Sequence, residues 1–185
     1  MKTFPVKETK RLILRQPTSK DIPCIVNLAN DIEMAEGTLN MPYPYLEENA
    51  ISWLNRSFQG FNQGDQYIFA IELKETMQFI GGIGFTVNTR FYSADIGYWI
   101  GKSYWNKGYC SEALLAILKF GFQDLKLNKL IAGHFPHNLS SGQVMKKCGM
   151  VKEADLLQHV KKGDKYLDIV QYRLTRKEFE IQNVA

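Results

Sequence analysis

Between Gly97 and Phe122 the chain reads GYWIGKSYWNKGYCSEALLAILKFGF, with glycine, lysine and serine crowded ahead of an apolar run of helical spacing. A strand, a glycine-bearing turn and a helix in that order suit a phosphate. The first N–H groups of a helix lack intrahelical acceptors, and the macrodipole adds partial positive charge there. A glycine in the turn lets those donors converge on one anion. Two turns compete for the role. Gly97 to Ser103 approaches the nucleotide loop GxxxxGK[ST] but is one residue short, and YWNKGY separates it from the helix. Trp105-Asn106-Lys107-Gly108-Tyr109-Cys110 runs straight into the helix that begins near Tyr109. The second turn is the better phosphate site, with Lys107 either adding charge or simply solvated.

The elements around this turn follow from periodicity. KRLILRQ alternates about Leu12 and Leu14 as a strand, and TSKDIPCIVNLAN carries helix-start signals with Ile22, Ile25, Val26 and Ala29 at helical spacing. A second helix after a proline-rich turn places Ala50, Trp53, Leu54 and Phe58 on one stripe. The stretch between the two, around Asp31 to Leu46, is aromatic and acidic and is the expected substrate-facing loop. QYIFAIEL, QFIGGIGFTV and SADIGYWIG follow as three strands. After the helix at Tyr109 come a strand in NKLIAGHF, a short helix in NLSSGQVMKKCG closed by Gly149, and a late strand in LDIVQYRLT. The expected order is β-α-α-β-β-β-α-β-α-β, an α/β chain with a mixed sheet and helices packed on it.

Composition limits the function classes. The 185 residues suit one domain spanning 1–185, and 45% hydrophobic content fills a sizeable core. A net charge of +4 favours anionic small ligands but is far from the basic stripe of a nucleic-acid binder. No apolar segment resembles a signal peptide or a membrane span. Cys24, Cys110 and Cys148 are odd in number and widely spaced, which reads as reduced thiols in a cytoplasmic protein. His134, His137 and His159 lack metal-ligand spacing, so no metal is expected.

The phosphate turn resembles motif A of the GNAT acyltransferase superfamily, whose acetyl-CoA pyrophosphate loop runs Q/R-x-x-G-x-G/A. Gly108 holds its place, while Trp105 replaces the Q/R and Cys110 the last small residue. The run ADIGYWIGKSYWNKGYCSEAL is similar to the branch that acetylates N-terminal amines of ribosomal proteins. ETKRLILRQPTSKD resembles that branch's first strand, and LNKLIAGHFPHNLSSGQVMKKCGM its later signature, with Met150 where Phe is usual. That substitution bears on the shape of the adenine end. The resemblance implies a GNAT fold: a central mixed, mostly antiparallel twisted sheet whose middle strands splay, flanked by helices. It implies acetyl-CoA as cosubstrate and direct acetyl transfer to a primary amine, with a ribosomal-protein N-terminus as the expected acceptor. Small-molecule amine acetylation, or a non-catalytic CoA- or ribosome-binding role, are the alternatives. No direct nucleic-acid or membrane partner is implied. The chain is either a monomer or a homodimer, the latter supported by Tyr43, Tyr45 and Trp53 if exposed.

Site residues follow from the same resemblance. Asn106, Lys107, Gly108, Tyr109, Cys110 and Ser111 surround the pyrophosphate, and the main chain of Tyr98, Trp99 and Ile100 meets the pantetheine arm. Asn138 is a good N-cap by itself, and the family pattern N-x-x-S extends it to the pantetheine. Many members place an acidic tyrosine where Met145 stands, and a thioether cannot protonate a thiolate. Ser141, one turn on from Asn138, is then the expected donor. Asp95 sits where relatives carry Glu and is the candidate base, or equally a surface strand residue. Glu33 and Glu36 are runners-up, as binders of a cationic acceptor. Cys110 has no base arranged for covalent catalysis.

Overall fold

The computed structural model describes residues 3–184. One eight-stranded sheet runs in the order β1-β2-β3-β4-β5-β6-β8-β7. Its strands are β1 (Lys7–Glu8), β2 (Leu12–Arg15), β3 (Gln66–Leu73), β4 (Phe79–Asn88), β5 (Ser93–Ile100), β6 (Lys129–His134), β7 (Val151–Lys162) and β8 (Lys165–Thr175). Every neighbouring pair is antiparallel except β5–β6. The helices are α1 (Ile22–Ala29), α2 (Ile32–Gly37), α3 (Glu47–Gln63), α4 (Tyr109–Lys119), α5 (Leu139–Lys147) and α6 (Arg176–Val184). This is the GNAT architecture expected from the sequence, and among the described residues no helix is long and apolar enough to cross a membrane.

β4 is buried at seven successive residues, Phe79 to Phe85, because both of its faces are covered. One face carries the larger core, where Ile83, Phe85, Ile96 and Ile100 meet Ala113, Leu114, Ile117 and Leu118 of α4 and Met145 of α5. The other face carries a smaller core, where Ala70 and Phe79 meet Ile25 and Ala29 of α1 and Ala50 of α3, with Trp53 and Trp99 against it. Alternation along β5 therefore sends Tyr98 toward α4 and α5 but Trp99 toward α1 and α3. α4 continues into a π-helical turn, Phe120–Asp124, in which Leu125 N–H bonds Phe120 O at 3.1 Å.

Four elements go beyond the expected order. β1 is only two residues long, α2 lies inside the stretch expected as a loop, and β7 and α6 follow α5 and β8. Two packing expectations are corrected. Phe58 is exposed, and Phe61, three residues on, enters the core instead. Tyr45 is buried and Trp53 half-buried; of the three aromatics considered for a dimer, Tyr43 alone is exposed.

Candidate active site

The site begins where β5 and β6 part. Their parallel pairing covers Ser93–Ile96 against Lys129–Ala132 and stops there, although β5 runs on to Ile100 and β6 to His134. On the other edge β5 remains in register with β4 to Ile100, and Gly101 N–H donates to Ile80 O at 2.9 Å. Backbone groups of an antiparallel strand alternate in direction. The Trp99 main chain therefore bonds β4, while Tyr98 and Ile100 direct theirs into the gap. Of the three residues expected to meet the pantetheine through their main chain, Tyr98 and Ile100 face the gap and Trp99 faces β4. Ile100 O already accepts the Trp105 indole N–H at 2.6 Å, leaving Tyr98 N–H and C=O and Ile100 N–H to meet an extended amide chain. Those are the groups a pseudo-strand would satisfy.

The gap leads to the phosphate turn. Asn106 has φ 59°, and Gly108, the N-cap of α4, has φ 78° and ψ 2°, both left-handed. No side chain caps α4, whose first intrahelical bond runs from Glu112 N–H to Gly108 O. The N–H groups of Tyr109, Cys110 and Ser111 precede that bond and suit a pyrophosphate. Lys107 turns back: its ammonium donates to Ser103 O at 2.9 Å and sits 5.5 Å over the Tyr104 ring.

Sequence reasoning missed Arg11 here. From the β1–β2 turn it donates to Lys107 O (3.0 Å), pairs with Glu112 (2.7 Å) and lies 4.5 Å over the Tyr109 ring. Burial alone would raise Glu112, but bonds from Thr9 and Arg11 outweigh it and hold its carboxyl below the usual range. Nothing in the sequence ties the two ends of this pair together across roughly a hundred residues of chain. Arg11→Ala should release the Lys107 carbonyl and loosen the turn. Its expected result in calorimetry is CoA binding weakened by about 3- to 10-fold, the worth of one or two hydrogen bonds.

The far side of the gap is α5. Asn138 caps it, with Oδ1 accepting Ser141 N–H at 3.2 Å, while its Nδ2 donates to Gly37 O at 3.1 Å. The side chain expected to reach the pantetheine thus also ties α5 to α2. Ser141 Oγ lies 2.8 Å from the Tyr98 hydroxyl, a partnership the sequence did not signal. Met145 and Met150 are both packed in the larger core. Burial, then the neighbouring Cys148, pushes the Cys110 thiol up to about 12. A thiol that stays protonated is a poor nucleophile, which agrees with direct transfer.

On the opposite face of the sheet, Asp95, Gly97 and Trp99 line up along β5. A Cβ built on Gly97 would meet nothing within 4 Å, so the floor is open there. Asp95 is exposed as a residue, yet its carboxyl is desolvated enough to raise its pKa. The candidate base and the candidate acid thus lie on opposite faces, with the gap between them. α2 borders the site and is held by its carbonyls. Lys162 of β7 donates to Ala35 O and, at 2.6 Å, to Thr38 O. His137 Nε2 lies 3.2 Å from Glu36 O, and Asn138 takes Gly37 O. Glu33 is bound by the Lys102 ammonium, with Asp31 3.9 Å away, so the two runners-up differ. Glu33 is ion-paired, whereas the Glu36 carboxylate is exposed.

A splayed parallel pair beside an uncapped helix start defines an acetyl-CoA-dependent acyltransferase. Residues 11–151 match the acetyltransferase (GNAT) domain family, and the chain belongs to it. It is 32% identical over 176 residues to the uncharacterized N-acetyltransferase YnaD of Bacillus subtilis, covering 92% of this chain and 97% of that one. It is 29% identical over 93 residues to the [ribosomal protein uS5]-alanine N-acetyltransferase of Escherichia coli, covering 49% and 48%. Among solved structures, an acetyltransferase (GNAT family) from Bacillus anthracis superposes with a TM-score of 0.83 at 26% identity, covering 94% and 99%. The protein is an N-acetyltransferase that uses acetyl-CoA.

Proposed function

We propose that the acceptor is an N-terminal α-amine of a protein or peptide, of the kind a ribosomal protein presents. The observation that carries this reading is the Lys102–Glu33 pair at the acceptor rim. Asp31, Glu33, Glu36, Glu47 and Glu48 together would favour a polycation. Lys102 pairs with Glu33 and the Lys162 ammonium lies beside the same helix, so two of the five carboxylates have a cation at hand, while Asp31 keeps its charge as the cap of α2. A rim neutralised in part attracts the single charge of a chain end, and the amine panel below separates that acceptor from a polyamine. The similarity of half the chain to a ribosomal-protein-alanine acetyltransferase supports the same reading.

The chemistry asks little of the base. An α-amine with a pKa of about 7.7–8.0 is roughly a fifth neutral near pH 7.3, whereas a lysine at about 10.4 is almost wholly charged. Asp95 takes the amine proton directly or through water, and its raised pKa makes it a better acceptor than an ordinary aspartate. Ser141 supplies the departing sulfur with a proton and regains one from water, to which Asp95 releases the proton taken from nitrogen, so the cycle balances. Pyrophosphate and pantetheine are held by the turn at Gly108 and by the main chain at Tyr98 and Ile100.

Thiol release from acetyl-CoA against a panel of amines tests this. Short peptides with free N-termini should be acetylated, and N-terminally blocked peptides containing lysine should not. The neutral amine is the reactive form, so the rate should rise with pH and level off near about 8. Acetylation confined to polyamines or aminoglycosides, with every free-N-terminal peptide inert, would reject the α-amine reading and leave the acetyltransferase in place.

A further inference from the structure

Tyr98 sits at the mouth of the gap with its backbone in the sheet plane and its side chain turned toward α4 and α5. Its hydroxyl has two oxygens in reach, both from Ser141: Oγ at 2.8 Å and the carbonyl at 3.1 Å. A phenol has one hydrogen to give. If that hydrogen goes to the carbonyl, Ser141 must donate its own hydrogen back to the phenol oxygen and has none for a leaving group. If it goes to Oγ, the Ser141 hydrogen is free. Oγ is the nearer of the two oxygens, 2.8 Å against 3.1 Å, so the single phenol hydrogen is directed to the serine hydroxyl. Burial, with the Cys110 and Cys148 thiols close by, pushes the phenol pKa far up, which keeps Tyr98 protonated as this role requires.

We propose that Tyr98 is a positioning residue for Ser141, the proton donor assigned above on which this inference rests. Its hydroxyl donates to Ser141 Oγ, fixes the serine rotamer at the start of α5, and leaves the serine hydrogen for the sulfur as negative charge gathers there. Fixed dipoles of this kind act without reorganising when the bond breaks. The residue lies 43 positions from Ser141 in the chain, and its aromatic ring gives a sequence reader only a packing role.

A double-mutant cycle on the full chain, read as thiol release with a free-N-terminal peptide, tests the assignment. Tyr98→Phe should lower kcat by about 10- to 100-fold, the loss expected when a buried polar partner is stranded, with KM for acetyl-CoA and CoA affinity unchanged. In a Ser141→Ala background, Tyr98→Phe should have no further effect, because the tyrosine acts through the serine. A packing role would instead multiply the two losses, which overturns the proposal. So does Tyr98→Phe at full kcat while Ser141→Ala is impaired, an outcome that leaves Ser141 as the donor. Full turnover by Ser141→Ala removes the serine reading and this inference with it. Should Tyr98→Phe fail to bind CoA, 3-fluorotyrosine placed at position 98 keeps the shape and gives a more acidic donor. It should raise kcat, and a fall would overturn the proposal.

Discussion

Ser141→Ala should slow turnover by about 10²–10⁴-fold, the usual worth of a positioned proton donor, while CoA binds as before. The expectation rests on what surrounds the serine. Its hydroxyl is 2.8 Å from Tyr98 at the first turn of α5, whereas Met145, one turn further along, is 1% exposed and has no proton to give. Its backbone N–H, not its side chain, carries the bond to Asn138, so the cap and the link to α2 survive the substitution. Thiol release gives the rate and calorimetry the affinity. An Ser141→Ala enzyme with full turnover would mean that the thiolate takes its proton from water.

Gly108→Val should weaken CoA binding by about 5- to 100-fold, the equivalent of forcing a branched side chain into a left-handed backbone. The strain lies in the main chain, where φ is 78°; a Cβ would reach only to 3.4 Å from the Arg11 guanidinium, an ordinary contact. Gly108→Asn, which tolerates this conformation better, should retain most of the affinity. Lys102→Ala should leave CoA affinity in place, because that ammonium is held by Glu33 of α2. ATP should not bind, since GYWIGKS is too short and is spent on the end of β5 and a helical turn. Tight ATP binding, or CoA affinity lost through Lys102 alone, would move the phosphate site to the wrong turn.

What could be read from the chain, and what could not, divides along physical lines. Strands such as Gln66–Leu73 and Phe79–Asn88, and the helix at Tyr109, carry strong apolar periodicity because they line a core. β7 carries none. VKEADLLQHVKK has no buried residue and is rich in lysine and acid, as an edge strand is when its solvent face must resist further pairing. α2 was hidden because six residues are too few to show a helical period, and its start is marked by Asp31 alone. The turn into α4 was legible because its determinants are local: a glycine, a helix start and an aromatic strand before them. Arg11 over Tyr109 and Tyr98 against Ser141 were not, because each joins residues brought together only by the sheet. Asn138 was half legible. Its cap is written in three residues, but its grip on Gly37 spans 101.

That grip belongs to a wider pattern. Ala35, Glu36, Gly37 and Thr38 each have a carbonyl oxygen met by a side chain from elsewhere, and the three donors are Lys162, His137 and Asn138. Every residue type presents the same carbonyl, so the attachment is indifferent to sequence at those four positions. Side chains along this short helix can therefore be exchanged without detaching it from β7 and the start of α5. On the acceptor site proposed above, a change of amine would be written in the decoration of one short helix, and its mountings would not have to move.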